Sequence, residues 1–475
     1  MHLPPTQNEA VVHITNLTSS SISFSLLPNR IPSFHDQPST DTLTNSCDTL
    51  SVDRVLPRST TSKSFTKAKG GPLNIHLTSH TSTSISSSEK IGSVEKSADI
   101  SVSDVSLSTH TICLEKGKRG LKWGGKSWEV ETVGESWRVY KTKIAKREYQ
   151  MLILEQRNLA GFLGELPDEI SLAAVVLPGT HDTMALYDVR LSLIKDRLIA
   201  YHGIYPQRTP FASILSTLFT FLSSPQSSNE TLVISIKQED FMTTPWLKFS
   251  TAVLEEIKES EGGLDMWYLE DRIPTLGEVR GKCVLFSRFG GDGSGWDGGL
   301  NGMGIHPKTW PDSEKEGFEW DCSGVTVRTH DWYNIPSFLS IPEKTQLATE
   351  ILLPPSSQSV SAQTLNIAFF SAASFPLAFP PTIARGFGFP KIGLGVEGVN
   401  ARVGKWLLDI LSSTSFKSRG EKESEKLQYE MNEVGRRVRG WPLLDFFQDP
   451  EDNGVVPLLV ECNFRGRVSG EEGWP

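Results

Sequence analysis

Cysteine is scarce and scattered. Cys47, Cys113, Cys283, Cys322 and Cys462 form no CxxC pair and are odd in number. This argues against a zinc site or a disulfide framework and for a reducing compartment. No apolar run approaches the ~20 residues of a membrane-spanning helix. The N-terminal stretch MHLPPTQNEAVVHITNL lacks the basic-then-apolar order of an export signal. The expected location is therefore cytoplasmic or peripheral to a membrane. The two glycosylation sequons, at Asn16 and Asn229, are read as chance. A basic excess is also missing: 47 Lys and Arg stand against 56 Asp and Glu, a net charge of −9. A nucleic-acid partner is not expected, although a local patch can still meet a membrane. Apolar residues make up only 38% of the chain. At 475 residues the chain still has the length for two units and a large core.

Residues 1–145 read as β-rich. VVHITNL, SISFSLL, DISVSDVSLS, KSWEVETV and SWRVYKT alternate branched apolar and polar residues, the pattern of half-buried strands. The polar tracts 57–66 and 78–90 read as long loops. Many short strands suggest a sandwich-like domain. Trp123, Trp128 and Trp137 suit either a ligand face or core aromatics. Residues 146–159 (KREYQMLILEQRN and Leu159) read as a helical connector. From 160 to 475 the pattern changes to continuous apolar runs: SLAAVVL, RLIAYH, LVISIK, CVLFSR, GVTVRTH, LNIAFFS and VPLLVE. Such runs suit parallel strands buried on both faces. Helix-like FASILSTLFTFLSS and ARVGKWLLDILSS lie between them. The weak LYDVRLSL is a candidate eighth strand. The fold class is thus multidomain, α/β plus β, with a TIM-like (β/α) barrel behind an N-terminal β-sandwich-like domain.

Charged and polar residues recur at the ends of these runs: His181-Asp182, Arg190, His202, Lys237, Arg288, Asp331 and Glu461. In a barrel those ends converge on one mouth. The sharpest group is Leu177-Pro178-Gly179-Thr180-His181-Asp182-Thr183, in which a buried strand turns and presents a His-Asp pair. An N-cap by Thr180 or Asp182 explains the same residues more plainly. Two His at strand ends suit a base and an acid near neutrality. The glycines of GGDGSGWDGG (290–299) lack the Lys-Ser/Thr of a P-loop and fit a rim loop. The Phe- and Pro-rich 374–393 segment suits either a rim loop dipping into a bilayer or packing around the barrel.

LPGTHDTM, the DVR triplet, LIAYHG, ETLVISIKQED, the 277–282 run before CVLFSR, and HDWYN, in this order across roughly 160–475, resemble the phosphatidylinositol-specific phospholipase C X-domain family. The likeness is to its bacterial type; residues 1–145 lie outside it. The resemblance implies a distorted TIM barrel that cleaves a phosphoinositide phosphodiester. His181 would be the base acting on the inositol 2-hydroxyl. His202, supported by Asp182, would be the acid that protonates the leaving glycerol oxygen. The products would be a cyclic inositol phosphate and diacylglycerol. Arg190 would offset the growing phosphate charge. Lys237, Arg288, Asp331 and Tyr333 fall where the family contacts the inositol ring. Glu461 stands near the position of a carboxylate that orients the base. Arg190 occupies the place where calcium-dependent members carry carboxylates, so no metal and no cofactor is expected. Asp188 alone makes a poor calcium site, and Asp188 with Arg190 also reads as a surface ion pair. The expected partners are the lipid and, transiently, a membrane surface; the oligomeric state is left open.

The chain departs from the family after Met184. Arg190 follows His181 by only nine positions, whereas a parallel crossover needs a dozen or more residues. The first crossover helix, roughly 20–28 residues with its loops and strand start, has no chain to form it. Two alternatives follow: a glycerophosphodiester phosphodiesterase, or a catalytically impaired phosphoinositide-binding protein.

Overall fold

The computed structural model describes residues 9–26, 53–55, 59–66, 74–81, 105–114, 120–121, 128–134, 136–145, 148–180, 188–202, 205–240, 243–293, 302–353, 364–374, 376–389, 394–413, 437–448 and 454–465. The chain divides into two compact units. One comprises Met1–Gln156 with Leu408–Ser418; the other comprises Arg157–Leu407 and Arg419–Pro475.

The first unit is built of strands β1 (Glu9–Asn16), β2 (Ser21–Leu26), β3 (Asp53–Val55), β4 (Ser59–Thr66), β5 (Asn74–Thr81), β6 (Val105–Cys113), β7 (Gly120–Leu121), β8 (Trp128–Val133), β9 (Trp137–Ala145) and β10 (Glu148–Glu155). They form a six-stranded sheet, β4-β1-β10-β9-β8-β7, and a four-stranded sheet, β3-β2-β5-β6. Alternate residues of both sheets share one core: Val12 and Ile14, Ile22 and Phe24, Ile75 and Leu77, Met151 and Ile153. Two expectations are corrected. The connector is not helical: its apolar run is strand β10, parallel to β1 and antiparallel to β9. Residues 149–154 are all buried, and such a run shows neither helical nor strand periodicity. The polar tract at 57–66 is largely strand β4, antiparallel to β1 at the end of the sheet order; of the tract 78–90, residues 78–81 belong to β5 and the rest lies outside the described residues. Trp128 and Trp137 are buried, the core reading; Trp123 lies outside the described residues.

In the second unit β11 (Gly179–Thr180) is followed by β12 (Asp188–Ile194), β13 (Arg197–His202), β14 (Tyr205–Pro210), α1 (Phe211–Leu222), β15 (Leu232–Gln238), α2 (Trp246–Glu259), β16 (Trp267–Tyr268), α3 (Leu276–Val279) and β17 (Cys283–Arg288). Then come β18 (Glu314–Cys322), β19 (Val325–Asp331), α4 (Ile341–Ile351), β20 (Thr364–Phe369), α5 (Pro380–Arg385), β21 (Gly386–Phe389), β22 (Leu394–Glu397), α6 (Val399–Ser413), β23 (Trp441–Leu444) and α7 (Val455–Glu461). Hydrogen bonding yields two larger sheets, β14-β13-β12-β15-β17-β16 and β11-β23-β20-β19-β18. Within them β12, β15, β17 and β16 run parallel, as do β11, β23, β20 and β19.

Side chains alternate across each sheet. Leu232, Ile234 and Ile236 face Phe211, Leu215 and Leu218 of α1 and Phe249, Val253 and Ile257 of α2. The opposite row, Val233, Val284 and Phe286, meets Val327, Ile367, Phe369, Trp441 and Leu443 of the other sheet in a shared core. The two sheets therefore enclose one interior while their outer faces are helix-covered.

Several strand expectations differ from this. SLAAVVL makes only a 3-10 turn at Leu172–Ala174 and an isolated bridge from Val176 to Gly440, and the short β11 follows it at Gly179. The turn arises because the Ser171 hydroxyl caps the Ala173 N–H. The described part of LYDVRLSL, from Asp188, is strand β12. RLIAYH is its antiparallel hairpin partner β13 rather than the next parallel strand. Lys195 and Asp196 both have positive φ, 50° and 58°, the geometry of a two-residue hairpin turn. VPLLVE is helix α7, with Pro457 in the first turn where no N–H partner is required. The strand in that sheet is WPLL, β23.

Near the opening of this unit the buried Glu230 carboxylate accepts the N–H groups of Leu163 (2.9 Å) and Gly164 (3.2 Å). Arg280 donates to the carbonyls of Leu163, Leu166 and Asn229. Burial pushes the Glu230 pKa up to about 7, against the opposing pull of those hydrogen bonds and of Arg280. The folded pKa lies above the unfolded value, so the contribution is complete below about pH 4.5 and is lost as pH rises through about 7. Glu230→Gln keeps an acceptor and removes the titration. It should flatten the fall in thermal midpoint between pH 5 and 7.5, with an effect of up to about 3 kcal/mol. An unchanged slope would show that Glu230 is not the titrating group.

Candidate active site

Three parallel strands bring three cations into one row. Arg190 pairs in register with Lys237, and Lys237 with Arg288. Lys237 and Arg288 sit at or near the C-terminal ends of β15 and β17, on the same face as Val233 and Phe286, whereas Arg190 is the third residue of β12 and joins the row through register. Neighbouring strands lie ~4.8 Å apart, so three like charges in this row need anions between them. The chain supplies three.

Asp188 precedes Arg190 by two residues and shares its face. Its carboxylate accepts from Ser235 Oγ (3.0 Å) and Arg288 Nη1 (3.2 Å), and lies 3.6 Å from Arg190 Nε. Glu239 follows Lys237 by two. It stands 3.4 Å from Arg190 Nη1 and 4.0 Å from Lys237 Nζ. Asp331, at the end of β19, lies 3.9 Å from Arg288 Nη2 and accepts the Trp310 indole N–H at 2.9 Å. The Trp310 ring lies 4.2 Å from the Arg288 guanidinium carbon, within cation–π range. The contact between Arg288 and Asp331 also joins the rims of the two sheets.

Exposure grades along the network. The Asp188 side chain is 0% exposed, Arg288 4%, Arg190 15% and Lys237 28%. Asp188 and Arg288 are thus an internal brace. Arg190 and Lys237 present the donors nearest solvent. A guanidinium forks onto two phosphate oxygens, and a lysine adds a mobile point charge. The row is suited to an anionic, hydroxyl-rich ligand.

Of the sequence candidates, Arg190, Lys237, Arg288 and Asp331 are brought together. Tyr333 lies two residues past Asp331, half-buried, with its carbonyl accepting from Ala373 N at 2.9 Å. His181 and Asp182 lie outside the described residues. Thr180, just before them, ends β11 beside Leu444 of β23. His202 ends β13, where its backbone pairs with Tyr205. Glu461 is on a helix, not at a strand end, because VPLLVE coils into α7. Its carboxylate lies 3.4 Å from Arg157 Nε and 3.7 Å from Arg465 Nε. Nearby, Asn463 grips both backbone groups of Val176, accepting its N–H at 2.7 Å and donating to its carbonyl at 2.8 Å. That grip fixes the chain just before β11.

The surface-pair reading of Asp188 and Arg190 is corrected: the pair is buried and braced by Arg288. Glu239, Ser235 and Trp310 were not singled out from the sequence. Glu239 was readable, because residues two apart on a strand share a face. Trp310, on a loop 22 residues after Arg288, carries no such signal.

No family model matches the chain. Over 153 residues it is 26% identical to a 1-phosphatidylinositol phosphodiesterase of Listeria monocytogenes, covering 26% of this chain and 48% of that protein. The chain therefore spans about half the length of this curated relative. Among solved structures, a phosphatidylinositol-specific phospholipase C of Staphylococcus aureus aligns with a TM-score of 0.46 at 18% identity, over 64% of this chain and 97% of that one. The phosphatidylinositol-specific phospholipase C of Listeria monocytogenes aligns with a TM-score of 0.42 at 20% identity, over 64% and 99%. Within the matched segment, the chain is similar in sequence to a bacterial phosphatidylinositol phosphodiesterase.

Proposed function

We propose that this chain is a phosphodiesterase of the phosphatidylinositol phospholipase C type. The observation that carries this reading is the row Arg190–Lys237–Arg288, interleaved with Asp188, Glu239 and Asp331 at the mouth of one interior. The second unit is then a TIM-like barrel, open between β11 and β12, and the first a β-sandwich of separate role. The inositol 2-hydroxyl attacks phosphorus as His181 takes its proton. His202, supported by Asp182, protonates the glycerol oxygen as its bond to phosphorus breaks. The products are a cyclic inositol phosphate and diacylglycerol. Arg190 faces the phosphate and stabilises the charge that builds there. Lys237 and Asp331 hold ring hydroxyls, the one donating and the other accepting, while Arg288 keeps Asp331 in place and Tyr333 flanks the ring.

His181→Ala and His202→Ala should each lower the release of cyclic inositol phosphate from phosphatidylinositol by about 10²–10⁴-fold. A substrate with a good leaving group needs little protonation and should partly spare His202→Ala. Equal losses on both substrates would remove the acid assignment.

The glycerophosphodiester phosphodiesterase alternative asks for carboxylate metal ligands. Asp188 is already engaged by two guanidinium groups and the Ser235 hydroxyl. Cleavage should therefore persist in excess EDTA and fall with Arg190→Lys, which keeps the charge but not the fork. Activity lost to EDTA and restored by Ca²⁺ would contradict the role given to Arg190.

An impaired enzyme remains the second reading, favoured by one observation: β11 ends at Thr180 and β12 begins at Asp188. The seven intervening residues span at most ~25 Å and are too few for a crossover helix of ~11 residues with its loops. A form of the chain with a full crossover inserted after Met184 should then be more stable and more active.

A membrane face accompanies the site. Leu339, Leu377, Phe379 and Phe387 are exposed, and Phe338 packs edge-on against Phe387 at 4.5 Å. These residues follow the C-terminal ends of β19 and β20, on the rim where Asp331 meets Arg288. Leu339→Ala with Phe379→Ala should weaken sedimentation with phosphatidylinositol vesicles by several-fold. It should slow vesicle cleavage more than cleavage of a short-chain monomeric lipid. Parallel loss on both substrates would place these residues in the fold rather than at the bilayer.

A further inference from the structure

The first turn of α4 holds a charge that the row does not include. Lys344 is 0% exposed, and its Nζ has no hydrogen-bond partner among the described residues. An ammonium so placed carries two costs. It has lost its water, and it stands near the positive end of the helix dipole. An apolar side chain of similar length would fill the same place at lower cost. A residue that breaks both rules in a buried turn calls for a compensating partner and for a reason to be there.

The placement of α4 shows the partners. The helix packs on β19 and β20. Arg328, early in β19, donates to the carbonyls of Ile351 and Leu353 at the far end of α4. The helix therefore runs against β19, and its first turn lies level with the strand ends. There Asp331 ends β19, Phe369 ends β20, and Asp445 follows β23. The sheet order is β23-β20-β19, so the two carboxylates flank β20. Both are buried. Asn400 of α6 fixes the Asp445 backbone, donating to its carbonyl at 3.0 Å. Burial pulls the Lys344 pKa down to about 7, and attraction to Asp331 and Asp445 limits the fall. His330, beside Asp331 on β19, stays neutral: burial and the Lys344 charge bring its pKa down to about 3. β20 brings no ionisable side chain. On α4 itself, Glu343 pairs with Lys315 of β18 at 2.7 Å, and Glu350 is exposed.

We propose that Lys344 is a positioning residue of the site, a buried cation that holds the Asp331 carboxylate in place for the ligand's ring hydroxyl. Lys344 touches no ligand and acts through Asp331. Arg288 Nη2, 3.9 Å away, draws Asp331 from one sheet, and Lys344 draws it from the helix that covers the other. The hold depends on the ammonium form. It is strong below about pH 7 and slackens as pH rises through that value. The proposal rests on the reading of Asp331 as a contact to the inositol ring, and it adds a pH dependence to that contact.

The test is calorimetric titration of the full chain with inositol 1-phosphate and with inorganic phosphate, at about pH 6 and about pH 8.5. Parent, Lys344→Met, Asp331→Asn and the double variant are compared. Each result is a ratio of parent to variant at one pH, so titration of the ligand cancels. Lys344→Met should weaken inositol 1-phosphate binding about tenfold on the acid side and about twofold or less on the alkaline side. Inorganic phosphate, which lacks the ring, should be little affected. In the Asp331→Asn background, Lys344→Met should cost about twofold or less. Equal losses at both pH values, equal losses for phosphate, or the full loss without Asp331 would each overturn the proposal, because a general loosening of the fold produces all three. Thermal melts run in parallel. The folded amine releases its proton near pH 7 and the unfolded one near ~10.4, so the parent's midpoint should gain from rising pH between them, and Lys344→Met should remove that gain. Should Lys344→Met fail to fold, nuclear magnetic resonance of the chain labelled at lysine Cε decides. One lysine should titrate near pH 7, and Asp331→Asn should lower that value. No such titration, or one unmoved by Asp331→Asn, would overturn the proposal. Cleavage of phosphatidylinositol is measured alongside. The expected binding pattern without cleavage would uphold Lys344 and remove the phosphodiesterase reading, and a parent that binds no headgroup would overturn both.

Discussion

The site depends on one buried carboxylate. Asp188 is fully enclosed, and three partners from three strands converge on it: Arg190 from its own, Ser235 from the next and Arg288 from the third. Burying a charge costs several kcal/mol, which close opposite charges and hydrogen bonds must offset. Once Asp188 is in place, its charge offsets part of the cost of burying Arg288, and Arg288 in turn reaches Asp331 on the other sheet. The two rims are thus tied by charges that would repel or strand one another if any member were absent. Such a network holds its outermost donors in fixed positions. On the proposed reading, a phosphate arriving at Arg190 and Lys237 would meet groups that need little reorganisation, and preorganisation of this kind is where electrostatic catalysis gains most.

Much of this arrangement was legible in the sequence. LVISIK and CVLFSR are unbroken apolar runs ending in a cation, and parallel neighbours place such ends side by side. Lys237, Arg288 and Asp331 come together because the ends of their strands converge, whereas Arg190, near the start of β12, joins them through its register with Lys237. What failed was the direction and type of elements whose composition carries no period. RLIAYH is as apolar as LVISIK, yet two residues with positive φ turn it back on β12. VPLLVE is as apolar as any strand, yet it coils into α7, and Glu461 moves with it to Arg157 and Arg465. Residues 149–154 are all buried in β10, so their pattern matched no face. Partners supplied by loops were the least legible. Trp310 reaches Arg288 only through tertiary folding, and nothing local marks it.

The short link between β11 and β12 bears on both structure and chemistry. β11 hydrogen-bonds to β23, and β12 to β13 and β15, so these consecutive strands belong to different sheets. In a complete barrel a helix between them would cover the outer face and set their spacing. Here Asn463 takes over part of that task by clamping Val176, and the hairpin partner β13 covers the free flank of β12. The anchoring groups on both sides of the link are in place. The seven residues between them, His181 and Asp182 included, are all the chain there is to link the two sheets.

The mouth gathers three properties that a lipid-headgroup enzyme needs at different depths. Asp188 and Arg288 sit deepest and are nearly dry, so their charges act through a low dielectric. Arg190 and Lys237 lie at the boundary, able to exchange water for phosphate and hydroxyl oxygens. Leu339, Leu377 and Phe379 stand outermost, where apolar side chains gain by leaving water for a bilayer at ~25 cal/mol per Å² buried. On the proposed reading, the order from apolar rim to charged floor would make approach to a membrane and capture of a headgroup favour each other. Docking the rim would remove water from above the row, and a drier row would bind an anion more strongly. A soluble headgroup would lack the first step and gain only the second.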